Sequence, residues 1–306
     1  MNINVRISII VAVYNAEHSI RILLNSIKAQ TMDDFEVIMV DDGSVDSSGA
    51  ICDEYAKQDF RFRIIHKQNG GVSAARQTGI DNAVGEYIIH ADADDWVEPT
   101  MLEELYDKAK NDDADIVICD YYNENIRGEV SLRKQQPSDL DHLSVLNDLF
   151  KDLHGSCWNK LVRRICYTKY NIRFPEGINH CEDFLTWVEL LQKNVRVSYL
   201  NRAFYHYCEN ENSITRKYDR KTYEIRRKFL QRLTEIMPLD LSELVFQSEF
   251  NVFIEAVVYN VLNEQETREG LVKYKSKIRE LGLRWRTGFF FLKIGQNKIA
   301  HVLLRY

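Results

Sequence analysis

Residues 88–96 read Ile-Ile-His-Ala-Asp-Ala-Asp-Asp-Trp: an apolar run that ends in three carboxylates within four positions, Asp92, Asp94 and Asp95. Like charges this close repel, so a folded chain gathers them where a positive partner is at hand. A hard divalent cation with oxygen ligands meets that need. A solvated acidic turn, with Asp95 near the start of the next helix, would give the same local string. The surroundings weigh against the turn alone. Segments 7–13 and 35–40 are also apolar runs, each broken by a single polar residue (Ser8 and Glu36), of the kind buried on both faces of a sheet. They too close in polar residues, Tyr14-Asn15 and Asp41-Asp42-Gly43-Ser44.

Helical spacing fills the gaps. In 17–29 the apolar residues are Ile20, Leu23, Leu24 and Ile27. Segments 46–56, 71–84 and 99–110 read as further helices, with Pro99 at a tolerated start. Segments 62–65, 86–91 and 115–119 read as strands. This β-α-β-α order predicts a mostly parallel sheet with helices on both faces. Ligands of such sheets bind at the carboxyl ends of the strands, where the polar clusters fall. Beyond, 123–141 reads as an irregular excursion and helices resume over 143–167. A helix follows at 183–193, then strands at 195–200 and 203–207. The stretch 216–275 is largely helical in pattern.

With 306 residues the chain has room for one large α/β domain and an appendage. Its formal net charge of -6 argues against a general nucleic-acid binder. No stretch approaches the roughly 18 apolar residues of a membrane span. The first 13 residues lack a signal-peptide layout, which predicts a cytoplasmic chain. The cysteines Cys52, Cys119, Cys157, Cys166, Cys181 and Cys208 form no C-x-x-C pair and read as reduced thiols. From 273 to 306 nine basic residues face one acid, Glu280, and are interleaved with Trp285, Phe289, Phe290, Phe291 and Leu292. That mixture suits an anionic membrane surface through 277–306; a docked helix with solvated charges is the plainer alternative.

Several motifs now stand in order: Ile9-Ile10-Val11-Ala12-Val13-Tyr14-Asn15, Val40-Asp41-Asp42-Gly43-Ser44, Gly70-Gly71-Val72-Ser73-Ala74-Ala75-Arg76, Asp92-Ala93-Asp94-Asp95-Trp96 and Glu182-Asp183. Together they resemble the family 2 glycosyltransferases, over roughly the first 215 residues. The resemblance implies a GT-A fold, with a nucleotide-sugar-binding catalytic domain over 1–215 and a helical extension over 216–306. It implies inverting transfer of a hexose or N-acetylhexosamine from a nucleotide diphosphate sugar, with UDP favoured, assisted by Mn²⁺ or Mg²⁺. The acceptor would be a glycan, with a lipid-linked one favoured, in capsule, O-antigen or other surface polysaccharide synthesis at the inner face of the membrane.

The resemblance assigns Asp41 to the uracil and places Ala12 and Tyr14 along the base pocket. Asp42 serves the turn instead. Arg76 either approaches the nucleotide or braces the acidic loop. Asp94 is the expected direct metal ligand of the DxD motif; Asp92 holds ribose hydroxyls or the metal through water. Asp183 is the expected general base, with Glu182 orienting it or touching the acceptor; capping the next helix is the structural alternative for both. Relatives often carry Arg where Cys208 stands, leaving Ser213, Arg216 or Arg202 as phosphate contacts. His206 reads as a packed residue before a metal ligand, and Trp158 as either a sugar platform or core.

Other classes fit less well. The first strand is not followed by the G-x-G-x-x-G of a dinucleotide fold, and no P-loop motif occurs. A sugar nucleotidyltransferase would open on a Gly-rich basic loop. A catalytically silent relative that binds a nucleotide sugar or a partner is the non-enzyme alternative.

Overall fold

The computed structural model describes residues 5–210 and 218–304. The chain divides into two compact units, Met1–Glu211 and Asn212–Tyr306. The first is built on a mixed, mostly parallel sheet. Its strands are β1 (Ile7–Val13), β2 (Phe35–Asp41), β3 (Phe62–His66), β4 (Tyr87–Asp92), β5 (Trp96–Val97), β6 (Ile116–Glu124), β7 (Val130–Arg133), β8 (Lys160–Arg163) and β9 (Val197–Cys208). They lie in the order β3-β2-β1-β4-β8-β6-β9-β5, with β7 paired to β6. The helices are α1 (Ile20–Lys28), α2 (Ser48–Gln58), α3 (Val72–Asn82), α4 (Met101–Asn111), α5 (His142–Leu149), α6 (Ile165–Lys169) and α7 (Glu182–Leu191).

The apolar runs become the central strands because both of their faces are covered. Ile7, Ile9, Ile10 and Val11 are fully buried, as are Val37 to Val40 on β2 and Ile88 and Ile89 on β4. The apolar stripe of α1 buries Ile20, Leu23, Leu24 and Ile27. Parallel register aligns the strand ends: Val13 pairs with Asp41, and Ala12 with Asp92. Two polar clusters far apart in sequence thus meet on one edge of the sheet.

The bare α-carbon of Gly79 lets α3 seat against β1. A Cβ there would lie 2.3 Å from Ile10 Cγ2. Gly79→Ala should therefore destabilise the protein by about 1–3 kcal/mol through overpacking, outweighing the helix-propensity gain of about 1 kcal/mol. Urea unfolding measures it; a stabilised variant would show that Ile10 can yield.

Three expectations about the sheet need correction. The excursion after β6 contains β7, an exposed hairpin strand. The stretch 143–167 is not all helical: β8 lies between α5 and α6 and pairs antiparallel with both β4 and β6. Four residues are too few for periodicity to separate strand from helix. The two strands expected at 195–200 and 203–207 are one strand, β9, with register shifts between Cys119 and Tyr121 of its partner β6. The bulge absorbs the exposed Asn201 and Arg202 without ending the pairing.

The second unit is helical: α8 (Arg220–Ile236), α9 (Ser242–Val258), α10 (Glu264–Lys273), α11 (Lys275–Glu280), α12 (Leu283–Lys293) and α13 (Asn297–Leu304). Its core gathers Phe250, Phe253, Val257, Tyr274, Phe289, Leu292, Ala300 and Leu304. Gly270 lets α10 close on the Phe253 ring, which lies where a Cβ would stand. Asn263 and Glu266 form a capping box that fixes the start of α10.

Candidate active site

The end of β2 carries two carboxylates with separate partners. Asp41 Oδ1 accepts the Ser44 N–H at 2.9 Å, and its Oδ2 meets His66 Nδ1 at 2.8 Å. Burial acts to raise the Asp41 pKa, but these hydrogen bonds outweigh it and hold the group below its ordinary value. Asp42 organises the loop before α3. Its Oδ1 accepts Lys67 Nζ at 2.6 Å and the Gly70 N–H at 3.0 Å, and its Oδ2 accepts the Gly71 N–H at 2.7 Å. Gly71 has φ +87° and packs so closely on Asn179 that a side chain would collide with it. Beside this corner, Asn15 has φ +51° and Tyr14 is exposed, so the Tyr14 ring is accessible to a ligand.

At the end of β4 the three carboxylates occupy different environments. Asp95 is buried; it accepts the Tyr205 hydroxyl at 2.7 Å and the Cys208 N–H at 2.8 Å. The same hydroxyl accepts the Asp92 N–H at 2.9 Å, so β9 anchors the acidic turn at both sides. Asp94 is exposed and Asp92 partly so. Desolvation by the surrounding chain, then the Asp92 charge, raises the Asp94 pKa; a hydrogen bond with Asn210 acts the other way. Burial and then the charges of Asp92 and Asp94 push Asp95 well above the carboxylate range.

A buried cation joins this turn to α7. Arg76 of α3 donates Nη2 to Asp92 Oδ1 at 2.8 Å and Nη1 to Glu182 Oε1 at 2.5 Å. Burial alone would lower its pKa, but the charges of Asp92 and Glu182 outweigh it and keep the guanidinium charged. Glu182, also buried, is pushed up to about 7 by desolvation, against the pull of Arg76. Asp183 follows it in the first turn of α7, and its Oδ1 accepts the Phe184 N–H at 2.8 Å. Burial raises the Asp183 pKa while Arg76 opposes.

Beside Asp183 lies a buried lysine. Lys160 Nζ donates to the carbonyls of His154 at 2.7 Å and Ser156 at 2.8 Å and to Asn159 Oδ1 at 2.7 Å. Burial lowers its pKa to about 8. It is a strut for the loop 154–159, a role its sequence context did not disclose. His90, near Arg76, is buried with no hydrogen-bond partner for either ring nitrogen among the described residues, and burial holds it neutral. The signal for it was one polar residue inside an apolar run.

The remaining candidates fall elsewhere. Trp158 is core: it is buried and stacks on Tyr205 with centroids 4.3 Å apart. His206 is sandwiched between Trp96 and Tyr122, its Nε2 3.0 Å from Glu98 Oε1. Arg202 is ion-paired with Glu104 of α4, not with the acidic turn. Cys208 serves through its backbone, as the N–H partner of Asp95. Ser213 and Arg216 lie outside the described residues. Among the described residues no three of His, Cys, Asp and Glu converge as a metal cluster. None of the six cysteines forms a disulfide.

Comparison with known proteins bears on this arrangement. The chain matches the family described as Glycosyl transferase family 2 over residues 8–171. It is 35% identical over 295 residues to EpsH of Bacillus subtilis (strain 168), an alignment spanning 90% of this chain and 82% of that one. Its structure resembles S. aureus TarS 1–349 in complex with UDP-GlcNAc, with TM-score 0.64 and 18% identity over 98% of this chain and 90% of that one. It also resembles the mannosyltransferase PcManGT from Pyrobaculum calidifontis in complex with GDP-Man and Mn²⁺, with TM-score 0.55 and 15% identity over 98% and 86%.

Proposed function

The chain belongs to glycosyl transferase family 2, and from that premise we propose that it transfers a sugar, with inversion, from a UDP-sugar to a hydroxyl of a lipid-linked glycan. The observation that carries the reading is the bridge at Arg76. One guanidinium holds Asp92 of the acidic turn and Glu182 at the head of α7. A donor carboxylate and a base candidate, 91 positions apart as Asp92 and Asp183, are thereby kept in one site.

Asp41 and the exposed Tyr14 ring, with the backbone at Ala12, form the base-recognition corner. Asp94 and Asp92 would hold Mn²⁺ or Mg²⁺ together with the donor diphosphate. The donor set fits: the ligands are hard oxygens, Asp94 is exposed, and the turn holds more carboxylates than Arg76 can neutralise. The ion when bound would offset charge on the leaving diphosphate. Asp183 takes the proton of the acceptor hydroxyl as that oxygen attacks the anomeric carbon, so no enzyme nucleophile is needed. Arg76 ties Glu182, the residue before Asp183, to Asp92 and so holds the start of α7 beside the acidic turn. A lipid-linked acceptor draws support from the basic, aromatic stretch 277–306, which suits contact with the membrane surface.

Titration of UDP by calorimetry, with Mn²⁺ and with EDTA, tests the donor site. Binding should require the metal. Asp94→Asn should weaken it by roughly tenfold or more, about 1.4 kcal/mol. Metal-independent binding of equal strength in both proteins would remove the assignment of Asp94.

A further inference from the structure

We propose that one face of the α12–α13 pair docks on an anionic lipid bilayer; this rests on the membrane-surface reading above and says which side chains make the contact. The aromatic residues of this stretch are not equivalent. Phe289 and Leu292 are buried in the core of the second unit, and Trp285 and Phe291 pack against it. Leu283, Phe290 and Ile294 point outward, 77%, 57% and 53% exposed. At 3.6 residues per turn Leu283 and Phe290 of α12, with Ile294 just after its last turn, fall within a sector about 40° wide. Arg286 and Lys293 flank that sector on one side and Arg284 on the other. On α13, Val302 is 67% exposed and Ile299 is also exposed, next to Lys298. Arg284 Nε donates to the Leu303 carbonyl at 2.8 Å, tying the two helices together.

Charge decides the occupant. From residue 281 to 306 the chain has no Asp or Glu, and its charged side chains are Arg284, Arg286, Lys293, Lys298 and Arg305. Two earlier lysines are paired with acids, Lys273 with Glu249 and Lys277 with Glu243. Among the described residues, Arg286, Lys293 and Lys298 form no ion pair. Two copies meeting through this face would oppose like charges. An anionic headgroup layer attracts the cations while the interface receives the apolar strip. Among the described residues no helix is long and apolar enough to cross a membrane.

The test is co-sedimentation of the full chain with vesicles of phosphatidylglycerol mixed equally with phosphatidylcholine, against phosphatidylcholine alone. The protein should partition to the anionic vesicles and be released by added salt. Arg286→Gln/Lys293→Gln should weaken partition about thirtyfold, at about 1 kcal/mol per basic residue. Phe290→Ser/Ile294→Ser should weaken it without removing the salt dependence. Circular dichroism confirms that both variants are folded. Equal binding to both vesicle types, or variants that bind as the parent does, would overturn the proposal. So would dissociation of an oligomer in the variants, which would make the face a self-association surface. UDP titration of the same variants keeps the two readings apart. Intact metal-dependent UDP binding with unaltered vesicle binding sinks this face alone, whereas loss of UDP binding in the parent sinks the donor-site reading.

Discussion

Asp183→Asn is expected to lower kcat by about 10²–10⁴-fold while metal-dependent UDP binding persists. The substitution keeps the size of the side chain and an oxygen to accept the Phe184 N–H, now at 2.8 Å from Asp183 Oδ1. What it removes is the ability to take a proton. The environment of Asp183 suits a proton acceptor, because burial raises its pKa while the Arg76 charge keeps the ionised form accessible. A base works deprotonated, so activity should fall as pH drops through this raised pKa. The acid limb of the kcat profile should therefore sit above the position of a solvated aspartate. Steady-state turnover of a UDP-sugar across pH, for the parent and the variant, measures both effects. If Asp183 only serves the start of α7, Asn will cost some stability and leave kcat near normal, and the assignment fails.

Arg76→Met should destabilise the fold by about 3–5 kcal/mol, because it leaves buried Glu182 facing Asp92 with no cation between them. The loss should depend on pH. Glu182 is pushed up to about 7 in the folded protein, above the ordinary value of 4.5. The folded state therefore holds its proton more tightly, and the stability this group contributes falls as pH rises from about 4.5 through 7. Without Arg76 the ionised form has lost its partner, so the deficit should be larger at pH 8 than at pH 5. Arg76→Met/Glu182→Gln should recover much of the stability at pH 8, since a neutral amide needs no counter-charge. Urea unfolding at the two pH values reads all three results. An equal loss at both, unrelieved by the second substitution, would mean that Arg76 contributes packing over Phe174 and not charge.

Much of the fold was legible because its signals are local. An apolar run such as Ile7–Val13, broken only by Ser8, suits a strand covered on both faces, and the 3.6-residue spacing of Ile20, Leu23, Leu24 and Ile27 suits a helix lying on it. Those elements, their order and the family motifs at their ends led to a mostly parallel α/β sheet with the acidic residues on one edge. Short or interrupted elements escaped the same reasoning. Lys160–Arg163 is a strand only because β4 and β6 offer pairing partners on either side. Asn201 and Arg202 read as a break, yet the ladder continues past them.

Within the site, residue spacing marked the acidic clusters at Asp41-Asp42 and Asp92 to Asp95, and the family resemblance added Glu182 and Asp183, but neither showed the partners that set their environments. Partners from remote segments do that. Asp42 is consumed by Lys67, Gly70 and Gly71; Asp95 by Tyr205 and Cys208; Glu182 by Arg76, 106 positions away. Asp94 is left exposed at the turn. The tail follows the same rule: composition marked 277–306 as basic and aromatic, and packing then turned Phe289 inward and Phe290 outward. The sequence by itself determined the elements and their chemistry, since hydrophobic period and turn residues act over a few positions. Only the tertiary structure decided which carboxylates are neutralised and which stay available, because charge and burial depend on neighbours that the fold brings from a hundred residues away.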